Sequence, residues 1–254
     1  MVTNPKIRVD QLVVERGLAK SRSQAQSLIM AGRVYLDNSK LQKPGNQVNR
    51  DVALEVRGKE YPWVSRGGMK LDHGLNHFCI DVSGSACIDI GASTGGFTDV
   101  MLARGATKVY AVDVGHGQLD WKLRQDKRVI VLEKTNARYL TSDLIPTPIS
   151  FLCCDVSFIS LRVVLPNSMA MISQGGHLVG LIKPQFEVGK GQVGRGGVVR
   201  DPGQHKLVCD RISDWISKNS DWSVLGVTDS PITGPSGNKE FLIAAYKTGR
   251  RLKN

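Results

Sequence analysis

Cys87-Ile88-Asp89-Ile90-Gly91-Ala92-Ser93-Thr94-Gly95-Gly96-Phe97 is the stretch on which the fold turns. An apolar run ends in a loop of small residues, and a helical pattern follows through Val100, Met101 and Leu102. The segment reads as a buried strand passing through glycines into a helix. Gly91, Gly95 and Gly96 have no Cβ, so the chain can turn tightly there and backbone N–H groups can approach a ligand closely. The spacing is not the strict G-x-G-x-x-G that cradles a pyrophosphate. Taken alone, the loop leaves a nucleotide-type ligand and a purely steric glycine turn equally open.

Outward from this loop, strands and helices alternate. Strand 87–90 is followed by helix 97–104, then by strand Lys108–Val112 ending at Asp113. A helix near 119–124 precedes strand Val129–Leu132, and strand Phe151–Cys154 ends at Asp155. A helix near 160–173 leads to strand Gly176–Ile182, which ends at Lys183. After a glycine-rich loop (Gly189 to Gly197) come helix 203–218 and strands Val224–Thr228 and Phe241–Tyr246, the last two joined through Thr233-Gly234-Pro235-Ser236-Gly237-Asn238. This order predicts an α/β fold: an open, mostly parallel sheet with helices on both faces. Ligands of such sheets bind beyond the carboxyl ends of the strands. The glycine loop, Asp113, Asp155 and Lys183 all stand at such ends. Asp113, about twenty residues after the loop, is placed to accept hydrogen bonds from ribose hydroxyls. A nicotinamide dinucleotide and S-adenosyl-L-methionine both fit that position. The loop's departure from the pyrophosphate fingerprint favours the ligand without phosphate.

The chain has 254 residues and a formal net charge of +11. That balance favours a polyanionic partner, most simply nucleic acid. Residues 1–60 hold 11 Lys+Arg against 6 Asp+Glu, a net of +5, which leaves +6 for the other 194. The five cysteines fall in apolar runs and form no Cys-x-x-Cys pair, so they read as core thiols in a reducing, cytoplasmic setting. No metal site is expected. No apolar run approaches the length of a membrane span. No motif marks an obligate protein partner.

In the basic segment, Ile7–Gly17 reads as a short amphipathic helix closed by glycine. Ser21-Arg22-Ser23-Gln24 fits a capping box that starts a second helix, which presents Ala25, Leu28 and Ile29 to a core and stops at Gly32. Short strands around Val34–Leu36 and Val52–Val56 surround Asp37-Asn38 and Lys43-Pro44-Gly45 turns. Arg8, Asp10, Gly17, Ser21-Arg22-Ser23, Ala25, Ala31-Gly32-Arg33-Val34 and Lys43-Pro44-Gly45 together resemble the alpha-L RNA-binding module first seen in ribosomal small-subunit protein four. The resemblance implies a small α+β domain over residues 1–58 that binds structured RNA. It offers Arg8, Arg16, Lys20, Arg22 and Arg33 as phosphate contacts. Long cations of this kind reach phosphate oxygens and release counterions. Singly, each is better explained by a solvated surface charge; as a cluster on one small module, RNA contact is the better reading.

Lys59-Glu60-Tyr61-Pro62-Trp63-Val64 reads as a linker, since Pro62 holds its predecessor extended. Trp63 is expected to pack at an interface between domains. Beyond it, Lys70, Asp155, Lys183 and Glu240 are two lysines and two carboxylates near strand ends or on a flanking helix. Such a group at the mouth of an apolar sheet is expected to have shifted pKa values.

The flanking motifs Asp155-Val156-Ser157-Phe158-Ile159-Ser160, Lys183-Pro184-Gln185-Phe186-Glu187, Gly237-Asn238-Lys239-Glu240 and Val112-Asp113-Val114-Gly115-His116-Gly117-Gln118 complete a second resemblance. With the glycine loop and the basic module they look like the TlyA family, over about residues 6–247. That family carries the haemolysin label, and its catalytic domain is FtsJ-like. The resemblance implies a Rossmann-like class I methyltransferase over residues 65–254, with one antiparallel strand. It implies S-adenosylmethionine as cofactor and ribosomal RNA or ribosomal subunits as partner. The acceptor would be a ribose 2′-hydroxyl, of cytidine in the family. Lys70, Asp155, Lys183 and Glu240 would be the catalytic tetrad. Gly91 to Phe97 (Gly91, Ala92, Ser93, Thr94, Gly95, Gly96, Phe97), Asp113, Val114, Asn136 and Asp155 would bind the cofactor. The linker would change conformation on RNA binding. An RNA-binding assembly factor without catalysis would explain the charge and leave the tetrad without purpose. A dinucleotide-dependent oxidoreductase would explain the sheet and neither the module nor the tetrad. A pore-forming haemolysin would need a membrane element. The sequence leaves open which nucleotide is modified.

Overall fold

The computed structural model describes residues 6–58, 61–189, 191–218, 221–234 and 237–248. Lys59 and Glu60 of the expected linker, Pro235-Ser236 of the last turn and the 249–254 end of the expected catalytic domain lie outside the described residues. The chain forms two compact units, Met1–Pro62 and Trp63–Asn254.

The first unit has the order β1 (Lys6–Arg8), α1 (Val9–Glu15), α2 (Arg22–Met30), β2 (Val34–Leu36), β3 (Ser39–Lys40), β4 (Gln47–Asn49) and β5 (Leu54–Val56). The expected helix from Ile7 is corrected at its start. Ile7 and Arg8 pair antiparallel with Val48 and Gln47, and the helix begins only at Val9. A partner about 40 residues away decides this, and helical periodicity cannot see it. The Ser21 side chain accepts from Gln24 N at 3.2 Å, as a cap should. Gln24 Oε1 reaches back to Lys20 N at 2.7 Å, one residue before the position a capping box uses. Asp37 and Asn38, both at positive φ, make the β2–β3 turn. Val9, Leu12, Val13, Ala25, Ile29 and Val34 close a small core.

The second unit follows as α3 (Gly68–His77), β6 (Ala86–Ile90), α4 (Gly96–Ala103), β7 (Lys108–Val112), α5 (Trp121–Arg124), β8 (Val129–Leu132) and β9 (Ile149–Cys154). It continues with α6 (Leu161–Val164), α7 (Pro166–Ala170), β10 (Ile172–Ile182), α8 (Pro184–Glu187), α9 (Pro202–Ser217), β11 (Trp222–Asp229) and β12 (Phe241–Lys247). The sheet order is β11-β12-β10-β9-β6-β7-β8. β12 is antiparallel to both neighbours, and the other sheet pairings are parallel. Alternate strand residues feed two cores. Ile88, Ile90, Leu152 and Cys154 pack towards α6, α7 and α9, while Cys87, Phe151 and Cys153 pack towards α3 and α4. Each fully buried Leu, Ile or Phe contributes about 1.5–3 kcal/mol. Two helical expectations are corrected. The helix near 160–173 is two short helices, because Pro166 has no N–H to continue α6 and Ile172 already belongs to β10. The helix near 119–124 is the single turn α5, started by Asp120 accepting from Lys122 N at 2.9 Å.

Candidate active site

The carboxyl ends of β6, β7, β9 and β10 form one rim, and the strand order reverses between β6 and β9. That reversal opens a crevice in an open α/β sheet. β6 ends at Ile90, and the loop leaves through Gly91 at φ 81°, where a Cβ would lie 2.3 Å from the Asp155 carbonyl oxygen. Gly95 reaches φ 98° as the residue before α4. A Cβ there would meet Leu123 Cδ1 at 2.2 Å, so Gly95 permits packing on the α5 segment, and it lines neither cavity described below. A Cβ on Gly96 would lie 2.3 Å from Ser65 Oγ and 2.8 Å from Gly68 N. This close approach of α4 to the start of α3 sets Lys70 over the rim. The backbone N–H groups of Gly91, Ala92 and Gly95 are spent on Val112 O, Val112 O and Ala92 O. The loop is therefore tied by its backbone to the end of β7 and to itself.

Asp113 stands after β7, half-buried. Its Oδ2 accepts from Ser93 N at 2.8 Å and its Oδ1 from Gly115 N at 2.7 Å. It braces both loops, and each oxygen keeps capacity for a second hydrogen bond.

Lys70, Asp155, Lys183 and Glu240 come together from four elements. Lys70, buried on α3, donates to Glu240 Oε2 at 2.6 Å and lies 3.7 Å from Asp155 Oδ2. Lys183 Nζ lies 2.6 Å from Asp155 Oδ1 and donates to Ser157 Oγ at 3.1 Å. Asp155 follows β9 and Lys183 follows β10. Glu240 precedes β12, whose reversed direction pairs Phe241 with Ile182 and so brings Glu240 to the same rim. Two cations and two carboxylates leave the cluster neutral, the condition under which such groups tolerate burial.

A cavity of about 450 Å³ is lined by this cluster, Gly91 to Thr94, Gly96 and Phe97. A second, of about 490 Å³ and more apolar, holds Ile90, Asp113, Val114, Asn136, Val156 and Ile159. Gly91, Ser93, Asp155 and Ser157 belong to both. The volumes and the cradle at Gly91 fit a nucleoside joined to a short amino-acid chain. The Asn136 side chain already accepts from Arg138 N at 3.1 Å. Ser65, Arg66, Ser157, Gln118 and Thr135 also line these cavities; no pattern in the sequence marks them as site residues, although Ser157 and Gln118 lie within the motifs quoted above. Trp63 lies within its own unit against Gly68, where a Cβ would come 2.4 Å from Trp63 Cγ.

Two buried carboxylates support the rim. Asp89 on β6 points towards α4 and accepts from Thr98 Oγ1 at 2.7 Å; burial pushes its pKa up to about 6. Glu187 accepts from Ser160 Oγ at 2.6 Å and from Leu161 N at 2.7 Å, tying the segment after Lys183 to the segment after Asp155.

In the first unit, Arg8 and Arg22 share the carboxylate of Asp10. Arg16 donates to the carbonyls of Arg50 and Val52, and Arg33 Nε to Arg57 O at 3.2 Å. Lys20 is exposed. Three of the five expected phosphate contacts thus hold long-range polar partners of their own. Among the described residues no helix is long and apolar enough to cross a membrane, and no cluster of three or more His, Cys, Asp or Glu could hold a metal.

Residues 63–247 match the model of the FtsJ-like methyltransferase family, and residues 7–52 match the S4 domain. The 16S/23S rRNA (cytidine-2'-O)-methyltransferase TlyA of Mycobacterium tuberculosis is 49% identical over 97% of this chain and 92% of its own. Hemolysin A of Brachyspira hyodysenteriae is 40% identical over 93% and 98% respectively. A solved, hemolysin-named chain from Streptococcus thermophilus is 44% identical, with a TM-score of 0.75 over 98% of this chain and 90% of that one.

Proposed function

Because the chain belongs to the TlyA family of FtsJ-like methyltransferases with an S4 domain, we propose that it methylates a ribose 2′-hydroxyl of ribosomal RNA, using S-adenosylmethionine. The observation that carries the reading is the run Glu240–Lys70–Asp155–Lys183 beside the Gly91 loop, buried at its Glu240–Lys70 end, with spacings of 2.6, 3.7 and 2.6 Å. In this reading residues 1–58 bind RNA, 59–64 link and 65–254 catalyse. The acceptor is a cytidine, the substrate rRNA or a ribosomal subunit, and the site of action the cytoplasm.

The glycine loop, Asp113, Val114 and Asn136 hold the cofactor, which when bound supplies an electrophilic methyl group on a cationic sulfur. The protein's work is to place the hydroxyl in line and to take its proton. Lys183 is the acceptor of that proton. A cation in the resting cluster, it must first release one proton to solvent; as an amine it then keeps N–H groups for Ser157 and facing Asp155 and has its lone pair for the hydroxyl. Asp155 holds Lys183 and Lys70 together. Glu240 keeps Lys70 in place, and Lys70 stabilises negative charge as it develops on the acceptor oxygen.

The test is transfer of labelled methyl to folded 16S and 23S transcripts and to ribosomal subunits, with the product mapped as a 2′-O-methyl. Lys183→Ala is expected to bind S-adenosylmethionine within about threefold of the parent by calorimetry and to lose roughly a hundredfold or more in rate. A Lys183→Ala protein that methylates at near the parent rate sinks the assignment.

A further inference from the structure

Asp10 has no exposed surface, although it belongs to a small and strongly basic unit. Its side-chain partners come from two elements, β1 and α2. Arg8, ending β1, grips it with two nitrogens, Nε to Oδ1 at 3.0 Å and Nη2 to Oδ2 at 2.9 Å. Arg22, opening α2, donates Nε to Oδ2 at 3.1 Å, and Gln26 donates Nε2 to the same oxygen at 2.9 Å. The carboxylate itself is fixed by its backbone: Asp10 N bonds Pro44 O at 3.2 Å and Val9 N bonds Asn46 O at 2.9 Å. Gly45 in that turn lies against Arg8, where a Cβ would be 3.3 Å from Nη1.

The two guanidiniums are not consumed by this arrangement. Their side chains remain 37% and 51% exposed. Among the described residues, Arg8 spends one edge of its fork and keeps Nη1, while Arg22 spends only Nε and keeps both terminal nitrogens. A guanidinium has five donors in a rigid plane, so fixing one edge aims the other. An unfixed arginine loses rotamer entropy when it is immobilised. A carboxylate that fixes two of them in advance removes much of that cost from binding.

We propose that Asp10 is a positioning residue for RNA, locking Arg8 and Arg22 side by side so that their outer N–H groups seat one stretch of phosphodiester backbone. The inference rests on the reading that this unit binds RNA. It makes a prediction opposite in sign to charge counting. Asp10→Asn raises the summed charge of this trio from +1 to +2, which by attraction alone would tighten binding. If Asp10 positions the pair, a neutral amide in its place cannot hold two cations, and binding weakens.

The full chain is titrated with folded 23S rRNA transcript across a series of salt concentrations. Asp10→Asn is expected to bind about tenfold more weakly, with the log–log salt slope flattened by roughly 1 to 2, the value of one or two lost phosphate contacts. Arg22→Lys keeps the charge on an exposed side chain, leaves the core intact and is expected to weaken binding by roughly threefold or more. In an Arg8→Ala/Arg22→Ala background, Asp10→Asn is expected to cost nothing further, whereas damage to the fold would add. Equal or tighter binding by Asp10→Asn, parent-like binding by Arg22→Lys, or additive losses in the triple variant would each overturn the proposal. If Asp10→Asn does not fold, Arg22→Lys decides alone. If the parent itself shows no salt-dependent RNA binding, the RNA reading fails instead, and the two failures are told apart.

Discussion

Lys70 and Glu240 offer the sharpest separation of stability from chemistry. Both side chains are buried, 7% and 1% exposed, with 2.6 Å between Nζ and Oε2. Glu240→Ala leaves the Lys70 ammonium with Asp155 alone, at 3.7 Å. Breaking a buried pair by removing one partner costs about 3–5 kcal/mol. For a domain of this size that is a fall in Tm of roughly 6–20 °C, at about 2–4 °C per kcal/mol. Replacing both partners with apolar groups of similar shape removes the uncompensated charge, and such swaps are neutral or stabilising. Lys70→Met/Glu240→Leu is therefore expected to melt within about 3 °C of the parent. If Lys70 stabilises developing oxygen charge, that stable double variant still loses about 10²–10³ in kcat, the scale of a deleted oxyanion donor. Calorimetric melting and single-turnover methylation at saturating RNA give the two numbers. A double variant that is stable and within about tenfold of parent activity would refute the chemical role. A Glu240→Ala protein that melts with the parent would refute the buried pair.

Gly91→Ala places a Cβ 2.3 Å from the Asp155 carbonyl oxygen at φ 81°, whereas Gly84→Ala has a similar φ of 70° with nothing within 4 Å. Both pay a left-handed backbone cost of about 1–2 kcal/mol. Only Gly91→Ala must also shift Asp155, so it alone is expected to weaken S-adenosylmethionine binding, by roughly tenfold or more in calorimetry; equal losses in both would show that the clash is irrelevant. Asp89 releases its proton near 3.8 in the unfolded chain and near about 6 in the fold. Between those values the folded state holds more protons, so this group's stabilisation is lost as pH rises through that window, by about 3 kcal/mol in all, and is flat above it. Asp89→Asn keeps an acceptor for Thr98 and is expected to flatten that part of the profile in urea denaturation from about pH 4 to 7. An unchanged profile would remove Asp89 as its source.

The parts legible in the sequence are those that neighbours along the chain decide. Strand β6, the turn at Gly91 and the acidic residue after β7 follow from an apolar run, a missing Cβ and a fixed interval. The parts that stayed hidden depend on partners far away. Helical periodicity carries Ile7 and Arg8 into α1, and only their pairing with Val48 and Gln47 makes them a strand. That pairing turns Asp10 inward, where Arg8, Arg22 and Gln26 meet it. Read along the chain, Asp10 is one more charge on a polar helix. Gly95 has a structural role that the sequence did not show. Its place in the loop reads as ligand contact, and its neighbours are Leu119 and Leu123.

The direction of β12 matters most for the chemistry, and no local pattern encodes it. Because that strand runs against β10, its first residue pairs with Ile182, and Glu240 stands beside the residue that follows β10. A parallel strand in the same slot would bring its other end, near Lys247, to this rim. Lys247 instead sits at the opposite rim, where its Nζ donates to Ile172 O at 2.6 Å and to Met169 O at 3.3 Å. With a lysine in place of Glu240, the rim would hold three cations and one carboxylate. Burial of Lys70 would then be opposed by repulsion as well as by lost hydration. A neutral quartet at the crevice, with Lys70 and Glu240 buried, therefore requires the last strand to be reversed, and the placement of Lys70 on α3 has a physical rationale only in that topology.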